Sequence, residues 1–309
     1  MIINWVNSFQ GAKFVEWHQI VGFHHVARLG SFTRAAGVTF RTQSALTQQV
    51  QALEEEFGCP LFERIGKRKL LLTPAGEKLF AFTEKALSEY GALVEEIQAL
   101  KGVPRGQLRI AAPFTTLYRL LPGFLEDYTR RFPWVEVSLL DRPQKGVVEL
   151  VKSGEVDFGI TLESAVPGHL SKIRLGRVEA VLLVPAGHPL AGAERVDLRS
   201  IAQYPLILPP AGSEYAARRK LEALFGKEKL AYRVVMESSN IELSSVYVEI
   251  GLGISFATVV RNLPILKQRN LAFVSLDHYF PPEYMALVHR PDKSLPSHKA
   301  AFIDLLLGS

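Results

Sequence analysis

The chain has 309 residues, of which 48% are hydrophobic and 22% charged, with a formal net charge of +5. That length suits two or three compact units, and the composition excludes a chain dominated by disorder. The charge suits a polyanionic partner or a basic enzyme and demands neither. Cys59 is the single cysteine, so an intramolecular disulfide and a cysteine-rich metal site are both excluded, and a reducing compartment is expected. The apolar run at 178–185 is broken by Glu179 and falls far short of the roughly 20 residues that a membrane span needs. The first residues carry neither a basic start nor a continuous apolar stretch, so no secretory signal is read there. A cytoplasmic protein without membrane association is expected.

Residues 1–16 read either as a short extra helix or as a loose leader. From Trp17 the pattern turns helical: Ile20, Phe23, His24 and Ala27 recur at three and four residues. Gly30 ends this helix, and Ser31 or Thr33 caps a short second one with Phe32, Ala35 and Ala36 inward and Gly37 near its end. Thr42 caps a third helix to about Phe57, with Leu46, Val50, Leu53 and Phe57 as its apolar stripe. Two short helices joined by a tight turn, with polar residues on the first turn of the second, form a helix-turn-helix. Strand-like pieces at 61–64 and 69–72 flank the basic tip "IGKRK", which reads as a wing.

Thr73-Pro74 opens a long helix to about Leu100. Along it Leu79, Thr83, Ala86, Tyr90, Leu93, Ile97 and Leu100 alternate in steps of four and three, a heptad seam suited to dimerisation. "KGVPRG" at 101–106 reads as a hinge. From Leu108 strands and helices alternate: strand "LRIAA", one helix over "TTLYRLLPGFLEDYTRRF", strand "VEVSLL", helix "GVVELVKSG" and strand "VDFGIT". A second series runs through "AVLLVP", "LILPP", "AARRKLEALF", "RVVME", "LSSVYVEIG" and "GISFA" to a last strand "MALVHR" and helix "SHKAAFIDLLLG". This βαβ rhythm implies parallel sheet covered by helices, and its length implies two lobes rather than one sheet.

Within residues 30–80 the ordered segments "SFTRAA", "TQSALTQQVQALE", "LFER" and "LTPAGE" resemble the signature of the LysR-type transcriptional regulators. "LPGFLEDYTRRFPWVEVSL", "SGEVDFGI", "PAGHPLA" and "GLGI" extend the resemblance nearly to the end. Ser44 stands where the family often has proline, and Gln48 where a basic residue is common. The resemblance implies an all-α winged helix-turn-helix with a long linker helix, followed by a two-lobed α/β effector-binding domain like the periplasmic binding proteins. The expected divisions are a DNA-binding domain at 1–73, a linker and dimerisation helix at 74–103 and an effector domain at 108–309. Lobe I would comprise about 108–175 and 282–309, lobe II about 176–281. A homodimer, a homotetramer and a DNA site of dyad symmetry follow as family expectations.

On the third helix Thr42, Gln43, Ser44, Thr47 and Gln48 are the candidate DNA contacts, since glutamine amides pair with base edges and hydroxyls with phosphates. Between Trp17 and Thr73 seven basic residues stand against four acidic ones. Of these, Arg34, Arg41, Lys67 and Arg68 are the candidate phosphate contacts. The seam residues Leu79, Ala86, Tyr90, Leu93, Ile97 and Leu100 are the candidate dimer contacts. For a small anionic or organic-acid effector the candidates are Thr115 and Thr116, which open a helix, Thr161, which ends a strand, and Ser213 and Arg218 from the second lobe. In the resembling family the position of Thr115 often supplies a hydroxyl to the ligand. No cofactor and no metal are expected; Cys59, His24 and His25 read as packing residues.

Two other functions are open to such a chain. An enzyme working in the cleft would need a catalytic motif; no nucleophile elbow, phosphate-binding glycine loop or zinc-binding helix motif occurs. A purely architectural DNA-binding protein would have no use for some 200 residues of α/β domain. A regulator that senses a small molecule accounts for both halves.

Overall fold

The computed structural model describes residues 15–65, 69–100, 104–212, 216–260, 269–293 and 295–308. The chain divides into two compact units, one running to Val94 and the other from Glu95 onward, residues 292–294 aside.

The first unit opens with helices α1 (Trp17–Leu29), α2 (Phe32–Thr39) and α3 (Gln43–Phe57). Gly30 and Gly58 end α1 and α3 in the left-handed conformation, at φ 60° and 65°. Ser31 caps α2 by accepting from the Arg34 amide, and Thr42 caps α3 by accepting from the Ala45 amide. The end of α2 departs from the sequence reading. Its left-handed residue is Phe40, at φ 53°, not a glycine. Phe57 is also not part of the core stripe of α3; it is exposed, and Gln49 is buried on that face. Strands β1 (Phe62–Ile65) and β2 (Lys69–Leu72) pair antiparallel as the wing, with Phe62 opposite Leu72. Glu54 ties the wing to α3 by accepting from the Leu61 and Phe62 amides at 2.8 and 3.3 Å.

Helix α4 (Pro74–Ala99) then begins. The Thr73 hydroxyl donates to the Pro60 carbonyl at 2.7 Å and accepts from the Gly76 amide at 3.0 Å. A Cβ at Gly76 would stand 2.0 Å from the Leu61 carbonyl oxygen, so only glycine allows the helix to start this close to the wing. Ile20, Phe23, Val50, Leu53, Leu61 and Leu79 form one core cluster; Val26, Ala35 and Leu46 form another, and Phe32 and Phe62 pack on both.

The seam of α4 is therefore divided, which corrects the sequence reading. Leu79 is a core residue of its own unit, and Thr83 is fully buried, with its hydroxyl 3.3 Å from His24 Nδ1. Ala86 is half-buried. Tyr90, Leu93, Ile97 and Leu100 remain exposed, Leu100 at 87%.

The second unit alternates β3 (Gly106–Ala112), α5 (Phe114–Arg119), α6 (Leu121–Arg131), β4 (Val135–Asp141), α7 (Gln144–Lys152) and β5 (Phe158–Leu162). The single helix expected after β3 is two helices, because Pro122 lies in the first turn of α6 and cannot continue the ladder of α5. Next come β6 (Ser171–Pro185), α8 (Leu198–Ala202), β7 (Pro205–Leu208), α9 (Ala216–Lys227), β8 (Arg233–Glu237), α10 (Ile241–Glu249), β9 (Ile254–Val260) and β10 (Leu271–Ser275). Strand β11 (Glu283–His289) and helix α11 (Ser297–Leu307) close the chain.

The strands form one hydrogen-bonded sheet, β4-β3-β5-β11-β6-β9-β7-β8, with β10 also on β6. The expectation that one sheet would not hold all these strands is thus corrected. Strand β6 is 15 residues long and pairs with β11 along its first half and with β9 and β10 along its second. The two lobes appear instead as separate cores. Leu108, Ile110, Phe158, Ile160 and Phe302 pack on one face of the first half, with Ala111, Val147, Val148 and Val151 on the other. In the second half Leu182, Val184, Leu206 and Leu208 face one core, and Val181, Leu183 and Ile207 face another. This alternation puts both faces of β6 under cover, as the continuous apolar run "AVLLV" requires.

Candidate DNA interface and ligand cleft

The start of α3 and the two residues before it present Arg41, Thr42, Gln43, Ser44 and Gln48 to solvent, with Thr47 half-buried. Several of these groups already hold one another. Thr42 Oγ1 caps the helix and lies 3.0 Å from Ser44 Oγ. Thr47 turns its hydroxyl back onto the Gln43 carbonyl at 2.9 Å. Thr33 on α2 donates to Gln43 Oε1 at 3.1 Å, which orients the amide and leaves its NH2 group outward as a donor. Gln43, Ser44 and Gln48 therefore offer exposed polar groups over the first two turns of α3.

Arg34 is exposed, and its guanidinium donates to the Leu29 carbonyl. Arg41 is held by Gln49, whose amide, oriented to satisfy both neighbours, donates to the His18 carbonyl and accepts from Arg41. Each arginine keeps further N–H donors, because a guanidinium carries five. Lys67 and Arg68 lie outside the described residues. Phe40, 96% exposed, stands directly before Arg41; the sequence reading passed over it. His24 on α1 is buried against Phe80 of α4, and burial first, then the neighbouring His25 and Arg28, lowers its pKa to about 4.

The second unit contains a cavity of 460 Å³ where its two halves meet. From the first half it is lined by Phe114, Thr115, Thr116, Arg119, Arg142 and Thr161. From the second come Lys220, Ser238, Asn240, Phe256, Thr258 and Phe280. Three of the five effector candidates, Thr115, Thr116 and Thr161, are thus brought together. Thr115 and Thr116 do not cap α5, whose N-cap is Pro113 without a side-chain bond; they are its second and third residues.

Thr161 is 3% exposed, and its hydroxyl has no hydrogen-bond partner among the described residues. The other buried hydroxyls of the lining are engaged: Ser238 and Ser244 donate to the Asn240 carbonyl, and Ser255 donates to Ile207. Arg218 is a correction. It is absent from the lining, and its guanidinium donates to the Pro209 carbonyl at 2.7 Å and to Glu222 and Glu237. It braces α9 against β8. Ser213 lies outside the described residues.

The sequence reading missed Arg119, Arg142, Lys220 and the 238–240 segment. The last had a local signal, since "SSN" precedes a helix and Asn240 caps it by accepting from the Leu243 amide at 2.9 Å. Of the charged lining residues, Asp141 and Glu283 oppose Arg119, Arg142 and Lys220. Glu283 accepts from the amides of Ser164 and Tyr284, and Arg119 is paired with Glu242.

Away from the cavity, Glu95 of α4 meets Lys299 at 3.4 Å and His298 at 3.7 Å, and Lys299 also reaches Asp157 at 3.1 Å. Burial first, and the Lys299 charge second, lower the His298 pKa to about 4. Burial and the nearby Asp157 push the Tyr128 hydroxyl above its ordinary range. Cys59 is half-buried and free. Among the described residues no group of His, Cys, Asp or Glu is placed to hold a metal ion, and no helix is long and apolar enough to cross a membrane.

Residues 17–77 match the description "Bacterial regulatory helix-turn-helix protein, lysR family", and residues 101–309 match "LysR substrate binding domain". The chain belongs to the LysR family of transcriptional regulators. It is 29% identical over 301 residues to the RuBisCO operon transcriptional regulator of Allochromatium vinosum, covering 95% of this chain and 96% of that one. It is 28% identical over 278 residues to the HTH-type transcriptional regulator CysB of Burkholderia cenocepacia, covering 89% and 88%. Its fold is similar to that of a full-length OxyR variant from Pseudomonas aeruginosa, with a TM-score of 0.63 at 22% identity over 96% and 97% of the two chains. This LysR regulator is thus a DNA-binding protein with an effector-binding domain, and not an enzyme.

Proposed function

We propose that this regulator responds to a small organic anion held in the 460 Å³ cavity, and that the response alters how paired winged helices sit on DNA. The observation that carries the ligand reading is the Thr161 hydroxyl: buried in the cavity lining and without a partner among the described residues. A buried hydroxyl left unbonded costs about 1–3 kcal/mol, and a ligand that bonds it removes that cost. Thr115, Thr116 and the Lys220 ammonium add donors around the same space, while Phe114, Phe256 and Phe280 add apolar wall. The volume and the mixed lining fit an organic molecule rather than a bare inorganic ion.

On DNA, Gln43, Ser44 and Gln48 read base edges while Arg34 and Arg41 contact phosphates. Two chains associate through the exposed apolar residues Tyr90, Leu93, Ile97 and Leu100 and so read a site of dyad symmetry. Pairing of such dimers into a tetramer gives the effector its lever, through the spacing or bending of the DNA. The test is a thermal-shift screen of organic acids and inorganic anions on the full chain, run beside a turnover assay. Stabilisation by an organic acid without turnover is the expected result. Stabilisation by inorganic anions alone would contradict the ligand class.

A further inference from the structure

Two side chains that the sequence separates by 123 positions meet beside the cavity, and one of them, Arg119, lines it. Arg119 ends α5, whose Leu117 packs with Leu120 on the core of the first half. Glu242 lies in the first turn of α10, whose Ile241, Tyr247 and Val248 pack on a core of the second half. The guanidinium donates through Nε to Oε1 at 2.9 Å and through Nη2 to Oε2 at 2.7 Å. This is a two-pronged pair, stronger and more directional than a single charged contact. The side chains are only 27% and 11% exposed, and Arg119 also lies over the Tyr118 ring at 4.7 Å. The neighbouring pairs of Arg218 with Glu222 and Glu237, by contrast, join residues of one half.

We propose that Arg119 and Glu242 are a clasp across the cleft, which holds the two lobes in one resting arrangement before any effector arrives. The physical reason is that both groups lose water only while the lobes stand together. Opening the cleft separates a fork-shaped pair that neither lobe can satisfy alone. Leaving it closed keeps Glu242 at the start of α10, where a negative charge also suits the helix dipole. An effector then acts against a defined starting state. Its influence on the lobes equals the difference in its affinity for the clasped and the opened arrangement. That functional consequence rests on the cavity being the effector site; the clasp itself does not, and is tested without ligand.

The test is amide hydrogen exchange of the full chain with no ligand added, read crosswise. Glu242→Gln is read at residues 114–120 on the opposite lobe, and Arg119→Gln at residues 241–249. In each case exchange is expressed relative to residues 106–112 of β3 in the same sample, so that a general loss of stability cancels. The expected result is a rise of roughly tenfold in the relative exchange of the opposite lobe in both variants, the scale of a typical coupling between sites. The charge-swapped chain, Arg119→Glu with Glu242→Arg, restores part of the protection. Unchanged relative exchange across the cleft in the two single variants would overturn the clasp, whatever the swapped chain does. Failure of the organic-acid screen with the crosswise effect intact would instead sink the ligand reading and leave the clasp standing.

Discussion

Thr161→Val tests the cavity with two readouts of opposite sign. Valine keeps nearly the volume and the branched shape that a residue of β5 prefers, and it replaces the hydroxyl by a methyl. Thr161 is 3% exposed and its oxygen has no partner among the described residues. Removing such a group relieves a penalty of about 1–3 kcal/mol, so the second unit should melt higher. For a bound anion the same change deletes one charge-assisted hydrogen bond, worth about 1.5–3 kcal/mol, and weakens binding roughly ten- to a hundredfold. Calorimetry of the full chain, alone and titrated with an organic acid that stabilises the wild type, measures both. A variant that melts lower and binds that acid as tightly as the wild type would refute the reasoning, because the hydroxyl would then be serving the fold and not a ligand.

Gln43→Ala should lower discrimination between cognate and random DNA by about 1–3 kcal/mol, while Arg34→Ala should weaken both equally; fluorescence anisotropy on the two duplexes separates them, and identical behaviour would remove the division of roles. Thr42→Ala should lower the stability of the first unit by about 1 kcal/mol through loss of the α3 cap, and no change in its melting would contradict the cap geometry. Phe40→Asn should leave stability unchanged or raise it by up to about 1 kcal/mol, since the residue is left-handed and 96% exposed; a marked loss would mean that the ring packs on something. His24 and His298 are buried with pKa values near 4, below the ordinary 6.5. The unfolded chain therefore takes up protons first, and stability, full above about pH 6.5, falls towards pH 4 at about 1.4 kcal/mol per pH unit for each group. Melting followed from pH 7 to 4 checks this, and His24→Gln should flatten the decline in the first unit.

The fold was legible where local chemistry decides it. Glycine at 30 and 58, hydroxyls at 31, 42 and 73 and the alternation from Leu108 onward each set an element start, stop or period. It was illegible where a tertiary contact overrides that chemistry. The three-four repeat of α4 does not say which turns face a partner; the wing and α1 claim Leu79 and Thr83, and only the later seam is left exposed. A long apolar strand does not announce that it bridges two cores, as β6 does. Thr115, which follows β3, and Thr161, near the end of β5, were readable as lining residues because those strand ends meet the cavity. Arg218 was not readable as a brace, because Glu237 lies 19 positions away and only the pairing of β7 with β8 brings it near. The same holds for Arg119 and Glu242.

The central claim is that occupancy of the cleft changes the state of the DNA complex. Footprinting of the full chain on a dyad-symmetric site, with and without an organic acid that stabilises it, tests this directly. The footprint of the wild type should change in length or in its internal cleavage pattern when the acid is added. In Thr161→Val the same change should require roughly ten- to a hundredfold more acid. A footprint that is identical with and without saturating acid, in a chain whose melting the acid raises, would contradict the claim.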